Sequence, residues 1–73
     1  MQDPRAYVRI ADMLRQQITD GRIQVGQPVP SITTLTQDHG VARQTAAKAL
    51  QLLESEGLVY RVPGLGYYVA EHQ

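Results

Sequence analysis

At 73 residues the chain has room for one small core with little margin, so its stability must come from well-packed helices or a partner copy. Seven basic residues balance seven acidic ones, and the absence of cysteine excludes disulfide scaffolds, thiolate zinc sites and thiol catalysis. No apolar run approaches the roughly eighteen residues a membrane helix needs, and no secretory segment follows the N-terminus, so a cytoplasmic protein is expected.

Asp3 is suited to cap a first helix, with Pro4 at its first position, where a missing N–H removes no hydrogen bond. Tyr7, Ile10, Ala11, Leu14 and Ile18 then form one helical stripe, and Asp20-Gly21 ends a helix expected over about residues 4–20. Gly26, Pro28 and Pro30 make the stretch from Gln24 to Pro30 extended. Ser31 caps a short second helix, about 31–39, with Ile32 and Leu35 inward, and Gly40 breaks it. A third helix is expected over about 42–56, with Ala46, Ala49, Leu50 and Leu53 at i, i+3, i+4 and i+7. Gly57 terminates it, and Leu58 packs back on its last turn.

The period then changes. Val59-Tyr60-Arg61-Val62 and Tyr67-Tyr68-Val69-Ala70 are β-prone, and Pro63-Gly64-Leu65-Gly66 between them reads as a hairpin turn, a wing over about 59–70. Tyr68 is expected to point into the core along with Val62, with Tyr60 and Tyr67 packed on the hairpin. The pattern predicts an α+β fold in a single domain, 1–73: a winged helix-turn-helix of three helices followed by a two-stranded β-hairpin.

In that geometry the third helix enters the major groove with its first residues on base edges. Its outward positions 43, 44, 47, 48 and 51 are Arg, Gln, Ala, Lys and Gln. Arg43 can pair bidentately with guanine and Gln44 with adenine, while the Thr45 methyl or Ala47 can meet a thymine methyl. Lys48 suits a phosphate. Arg61, with the backbone at Gly64 and Gly66, suits a wing that touches backbone or the adjacent minor groove. Net neutrality is unusual for a nucleic-acid binder, but residues 41–53 hold Arg43 and Lys48 and no acid.

These residues together resemble the winged-helix domain of the gluconate-repressor (GntR) family of bacterial transcription factors, over residues 7–70. The resemblance rests on Tyr7, Ile10, Ala11, Leu14, Ile18, Gly21, Gly26, Pro30-Ser31, Leu35, Gly40-Val41, Arg43, Thr45, Ala49-Leu50, Leu53, Glu54, Glu56-Gly57-Leu58-Val59 and Gly64-x-Gly66, spaced without a gap. It implies that Arg43 reads a base, that Gln44 and Thr45 sit beside it, and that Gly64-Leu65-Gly66 is the wing tip. Four departures stand out. Thr33 replaces a basic residue usual in the second helix, and Ala47 replaces an arginine usual in the third. Ala42 replaces a capping Ser or Thr, which forfeits about 1 kcal/mol, and Thr34 replaces the glutamate of a capping box begun by Ser31. Two fewer cations imply weaker, less salt-sensitive binding than a typical member shows.

The resemblance makes the expected partner double-stranded DNA, a palindromic operator bound by two copies as a transcriptional regulator, acting as a repressor. The expected interface comprises Ser31, Thr33, Ala42, Arg43, Gln44, Thr45, Ala47, Lys48, Arg61, Gly64, Leu65 and Gly66. Members of the family continue into a larger effector-binding domain. Here the chain stops at Gln73, and its initiating Met favours a free-standing small regulator over a fragment, with no small-molecule effector expected for it alone. No cofactor, metal site or enzyme activity is expected: His39 and His72 lack ligand partners at recognisable spacing, Ser31 is a cap, and no phosphate-binding loop occurs. The alternative reading is a winged helix used for protein contact, with Leu65, at a position where a cation is common in relatives, and Ala47 as contact residues.

Overall fold

The structure, a computed structural model, describes residues 5–71. Asp3, Pro4 and His72 lie outside them, so the expected Asp3 cap does too. The elements run α1 (Ala6–Thr19), α2 (Ile32–His39), α3 (Arg43–Ser55), β1 (Val59–Val62) and β2 (Gly66–Val69). With Arg5 as its N-cap, α1 begins at Ala6, two residues beyond the expected start, and Ala42 is the extended N-cap of α3 instead of its first helical residue.

One face of α3 organises the core. Ala46, Ala49, Leu50 and Leu53 are completely buried, and α1, α2 and β1 all pack on this helix. The stripe from α1 (Ile10, Ala11, Leu14, Ile18) closes over it, joined by Leu35 from α2 and by Val59 and Val69 from the hairpin. The small alanines let α1 approach closely, while each large aliphatic side chain contributes about 1.5–3 kcal/mol on burial. At the C-terminus of α3, Gly57 N–H donates to Glu54 and Leu58 N–H to Leu53, which folds the half-buried Leu58 onto the core.

Between α2 and α3 the chain turns in three residues. Gly40 adopts φ 64°, ψ 33°, the left-handed conformation that glycine takes without strain, and Ala42 is extended at φ −70°, ψ 157°. Ser31 caps α2 through Thr34 N–H at 3.1 Å, whereas Ala42 makes no side-chain cap, as its methyl requires.

β1 and β2 pair antiparallel with Val59 opposite Val69, Tyr60 opposite Tyr68, Arg61 opposite Tyr67 and Val62 opposite Gly66. This register corrects the expected tyrosine orientation. Cross-strand partners share a face, so Arg61 and Tyr67 lie with the buried pair Val59/Val69, and it is Tyr67 that packs against the core. Tyr68 shares the outer face with Val62 and stacks on Tyr60, ring centroids 6.1 Å apart. The turn itself has the signature of type II: Pro63 follows Val62, Gly64 sits at φ 82°, and Leu65 N–H closes onto Val62 at 3.0 Å.

The extended segment after α1 is hydrogen-bonded to the other edge of β2. Gly26 N–H donates to Val69, Val69 N–H to Gln27, and Val29 N–H to Tyr67, at 2.9, 2.9 and 3.0 Å. Both edges of β2 are therefore engaged.

The far ends of α1 and α3 are clamped by Arg15, whose guanidinium reaches both carboxylate oxygens of Glu56 (2.9 and 2.8 Å) and also pairs with Asp12. The hydrogen bonds that Arg15 donates to Glu56, then to Asp12, raise its pKa above its already high value. Stability from a raised pKa is present below the unfolded value and lost only as pH rises past it, so the clamp is intact at neutral pH. Arg15→Met is expected to lower stability by about 0.5–1 kcal/mol in a thermal melt, because these charges lie in a partly solvated pair.

Candidate nucleic-acid interface

The exposed surface of α3 divides into two rows at i, i+4 spacing. Arg43, Ala47 and Gln51 form one row, and with Arg61, Gly64, Leu65 and Gly66 of the hairpin they line a groove of about 580 Å³. Ile32, Val62 and Tyr67 complete its walls. The groove thus brings together residues more than twenty apart in the chain, from the N-terminal turn of α3 and the tip of the wing. Among the described residues, no carboxylate lines it. Arg61 is exposed and, among the described residues, makes no hydrogen bond or ion pair. Leu65 at the tip is 71% exposed.

Gln44 and Lys48 form the second row. The Lys48 ammonium stands 5.5 Å from the centroid of the Tyr7 ring of α1, a cation–π contact that holds it on the α1 side of the helix. Cations therefore flank α3 on both sides: Arg43 and Arg61 toward the wing, Lys48 toward α1.

Arg43 is the first residue of α3, and its Nη1 donates to the Thr33 hydroxyl of α2 at 3.1 Å. The side chain is exposed but not loose: the short turn at Gly40 brings the first turns of α2 and α3 within reach of one hydrogen bond. Ser31 is differently placed. Its hydroxyl accepts from Thr34 N–H and donates to the Thr34 hydroxyl at 3.0 Å, so its one donor is used inside α2.

Of the residues expected at the interface, Arg43, Ala47, Arg61, Gly64, Leu65 and Gly66 line the groove, and Thr33 adjoins it through Arg43. Lys48 is set apart over Tyr7, Ala42 and Gln44 are exposed at the start of α3, and Thr45 is half-buried. Four groove residues, Ile32, Gln51, Val62 and Tyr67, lie outside the expected interface, although Gln51 was among the outward positions of the third helix. Gln51 continues the row of Arg43 and Ala47 by one more turn, a spacing visible in the sequence. Tyr67 depends on which face of the hairpin turns inward, for which the local sequence holds no signal.

The geometry has clear counterparts. Residues 6–69 match the family described as bacterial regulatory proteins, gntR family. The HTH-type transcriptional repressor NagR of Bacillus subtilis is 37% identical over 65 residues, 89% of this chain and 27% of the relative. The histidine utilization repressor of Pseudomonas putida is 38% identical over 65 residues, 89% of this chain and 26% of that protein. The chain therefore spans about a quarter of the length of these two relatives. Among solved structures, the AraR DNA-binding domain in complex with operator ORR3 superposes with a TM-score of 0.86 at 37% identity, covering 89% of this chain and 78% of that one. The same domain with operator ORX1 gives a TM-score of 0.88 at 34% identity over 96% of this chain and 92% of that one. With residues 6–69 inside the family's bounds and the three-helix, winged architecture in place, the chain belongs to the gntR family of bacterial regulatory proteins, and its fold is that family's winged helix-turn-helix DNA-binding domain.

Proposed function

We propose that the chain binds double-stranded DNA sequence-specifically as a transcriptional repressor, with α3 in the major groove and the β1–β2 wing on the backbone or adjacent minor groove. The observation that carries this is the groove, free of carboxylates among the described residues, in which Arg43, at the N-terminus of α3, faces the same space as Arg61 and the wing tip. An arginine at the first turn of a recognition helix is placed to address base edges, and flanking cations to address phosphates. The solved AraR domains that share the fold are complexes with operator DNA, and NagR is named a repressor; both support the reading. Residues 1–73 then act as one unit in the cytoplasm, with no metal, cofactor or effector of their own. Two copies occupy successive major grooves about 34 Å apart on a palindrome.

Selection of bound sequences from random DNA, with stoichiometry measured on the winner, tests this directly. A palindrome bound by two chains is the expected result. With Lys48 and Arg61 each neutralising a phosphate and Arg43 on a base edge, a dimer is expected to give a slope of log K against log salt of about −4. A slope near zero would overturn backbone-anchored DNA binding. Leu65 favours a second reading, in which the wing tip docks on a protein, since a large apolar side chain stands 71% exposed there. No shift of genomic DNA at low salt, alongside a co-purifying protein that Leu65→Ala releases, is the result that reading requires.

A further inference from the structure

We infer that Thr33 is a positioning residue for base recognition, acting through Arg43 instead of on DNA alone. The inference rests on the reading of Arg43 as the base-contacting side chain. Arginine is long and flexible, and an exposed one samples many rotamers whose ordering opposes binding. Here Arg43 donates Nη1 to Thr33 Oγ1 at 3.1 Å across ten residues of sequence. That bond leaves Nε–H and the Nη2 donors unspent, two adjacent donors that form one bidentate fork of the kind guanine O6 and N7 accept. Thr33 therefore fixes the plane of the guanidinium without consuming its recognition edge.

The placement of Thr33 is itself well determined. It sits in the first turn of α2, which Ser31 caps, and Thr36 Oγ1 donates to the Thr33 carbonyl at 2.7 Å. Thr33 is exposed, and no contact with the core depends on its hydroxyl. A lysine or arginine at 33 would repel Arg43 and turn toward a phosphate. A hydroxyl trades that phosphate contact for a fixed Arg43, so affinity from charge is exchanged for discrimination at one base pair.

Thr33→Val keeps the shape of the side chain and removes the acceptor; Thr33→Ser keeps the acceptor. Binding of wild type, Thr33→Val, Thr33→Ser and Arg43→Ala is measured on the selected duplex and on variants substituted one base pair at a time. Thr33→Val is expected to lose about three- to tenfold of its preference at the one base pair whose preference Arg43→Ala abolishes. Its salt slope stays at the wild-type value, because no cation is removed, and Thr33→Ser restores the preference. Circular dichroism confirms that each variant is folded. If Arg43→Ala relaxes one base pair and Thr33→Val matches wild type there, Arg43 reads DNA unaided and the inference is overturned. If neither variant alters any base preference, the reading of Arg43 as base contact fails first and the inference falls with it.

Discussion

Arg43→Ala is expected to weaken binding to the selected operator by about 1–3 kcal/mol, roughly five- to 150-fold, and to relax the base preference at one position per half-site. The size of the effect follows from geometry. The exposed face of α3 carries few groups capable of bidentate pairing, and Arg43 is the charged one that lines the groove beside the wing. It is exposed and outside the core, so its loss is expected to leave the thermal melt nearly unchanged. Arg43→Lys separates charge from shape. Lysine retains the phosphate-attracting charge but lacks the planar fork, so salt dependence is expected to survive while base preference does not. Titration of the three proteins against matched and mismatched duplexes at one salt concentration checks all of this. Wild-type affinity in Arg43→Ala would move recognition elsewhere on α3.

Leu50→Ala is expected to have the largest effect on the fold itself. Leu50 is completely buried on α3, in the core cluster that α1, α2 and the hairpin all meet, so deleting three heavy atoms leaves a cavity that no single neighbour can fill. Such truncations cost about 2–5 kcal/mol. A domain of this size has about 5 kcal/mol in total, so a substantial unfolded population is expected near 37 °C. The midpoint followed by circular dichroism at 222 nm should fall by more than about 8 °C, and DNA affinity should fall with the folded fraction. Val8→Ala on the exposed side of α1 is the matched control, expected within about 0.5 kcal/mol of wild type. A drop under about 4 °C in Leu50→Ala would mean that the core repacks freely.

Much of this architecture is written locally. The apolar positions of α1 and α3 repeat at helical spacing, Gly40 and Gly57 stand where the backbone needs a left-handed residue, and Pro63-Gly64 encodes its turn. What local pattern does not encode is the orientation of one element against another. Alternation in the hairpin establishes that Tyr60, Val62 and Tyr68 share a face, but not that this face is the outer one. That depends on Val59 and Val69 finding α3, which sent Tyr67 inward and left Tyr68 stacked on Tyr60. The two side-chain contacts that tie helices together, Arg43 to Thr33 and Arg15 to Glu56, span ten and 41 residues. They exist because of a crossing geometry that only packing sets. At the interface the same division holds: the Arg43 row is periodic and readable, whereas the displacement of Lys48 onto Tyr7 is a tertiary event.

The strand β2 bonds on one side to β1 and on the other to the stretch around Pro28. On the ribosome this sets an order of events. The three helices can begin to associate once Ser55 has emerged, but Gly26, Gln27 and Val29 wait about forty residues for the partners at Tyr67 and Val69. The second strand of the hairpin thus fastens a loop made earlier, and the wing and the end of α1 become ordered together.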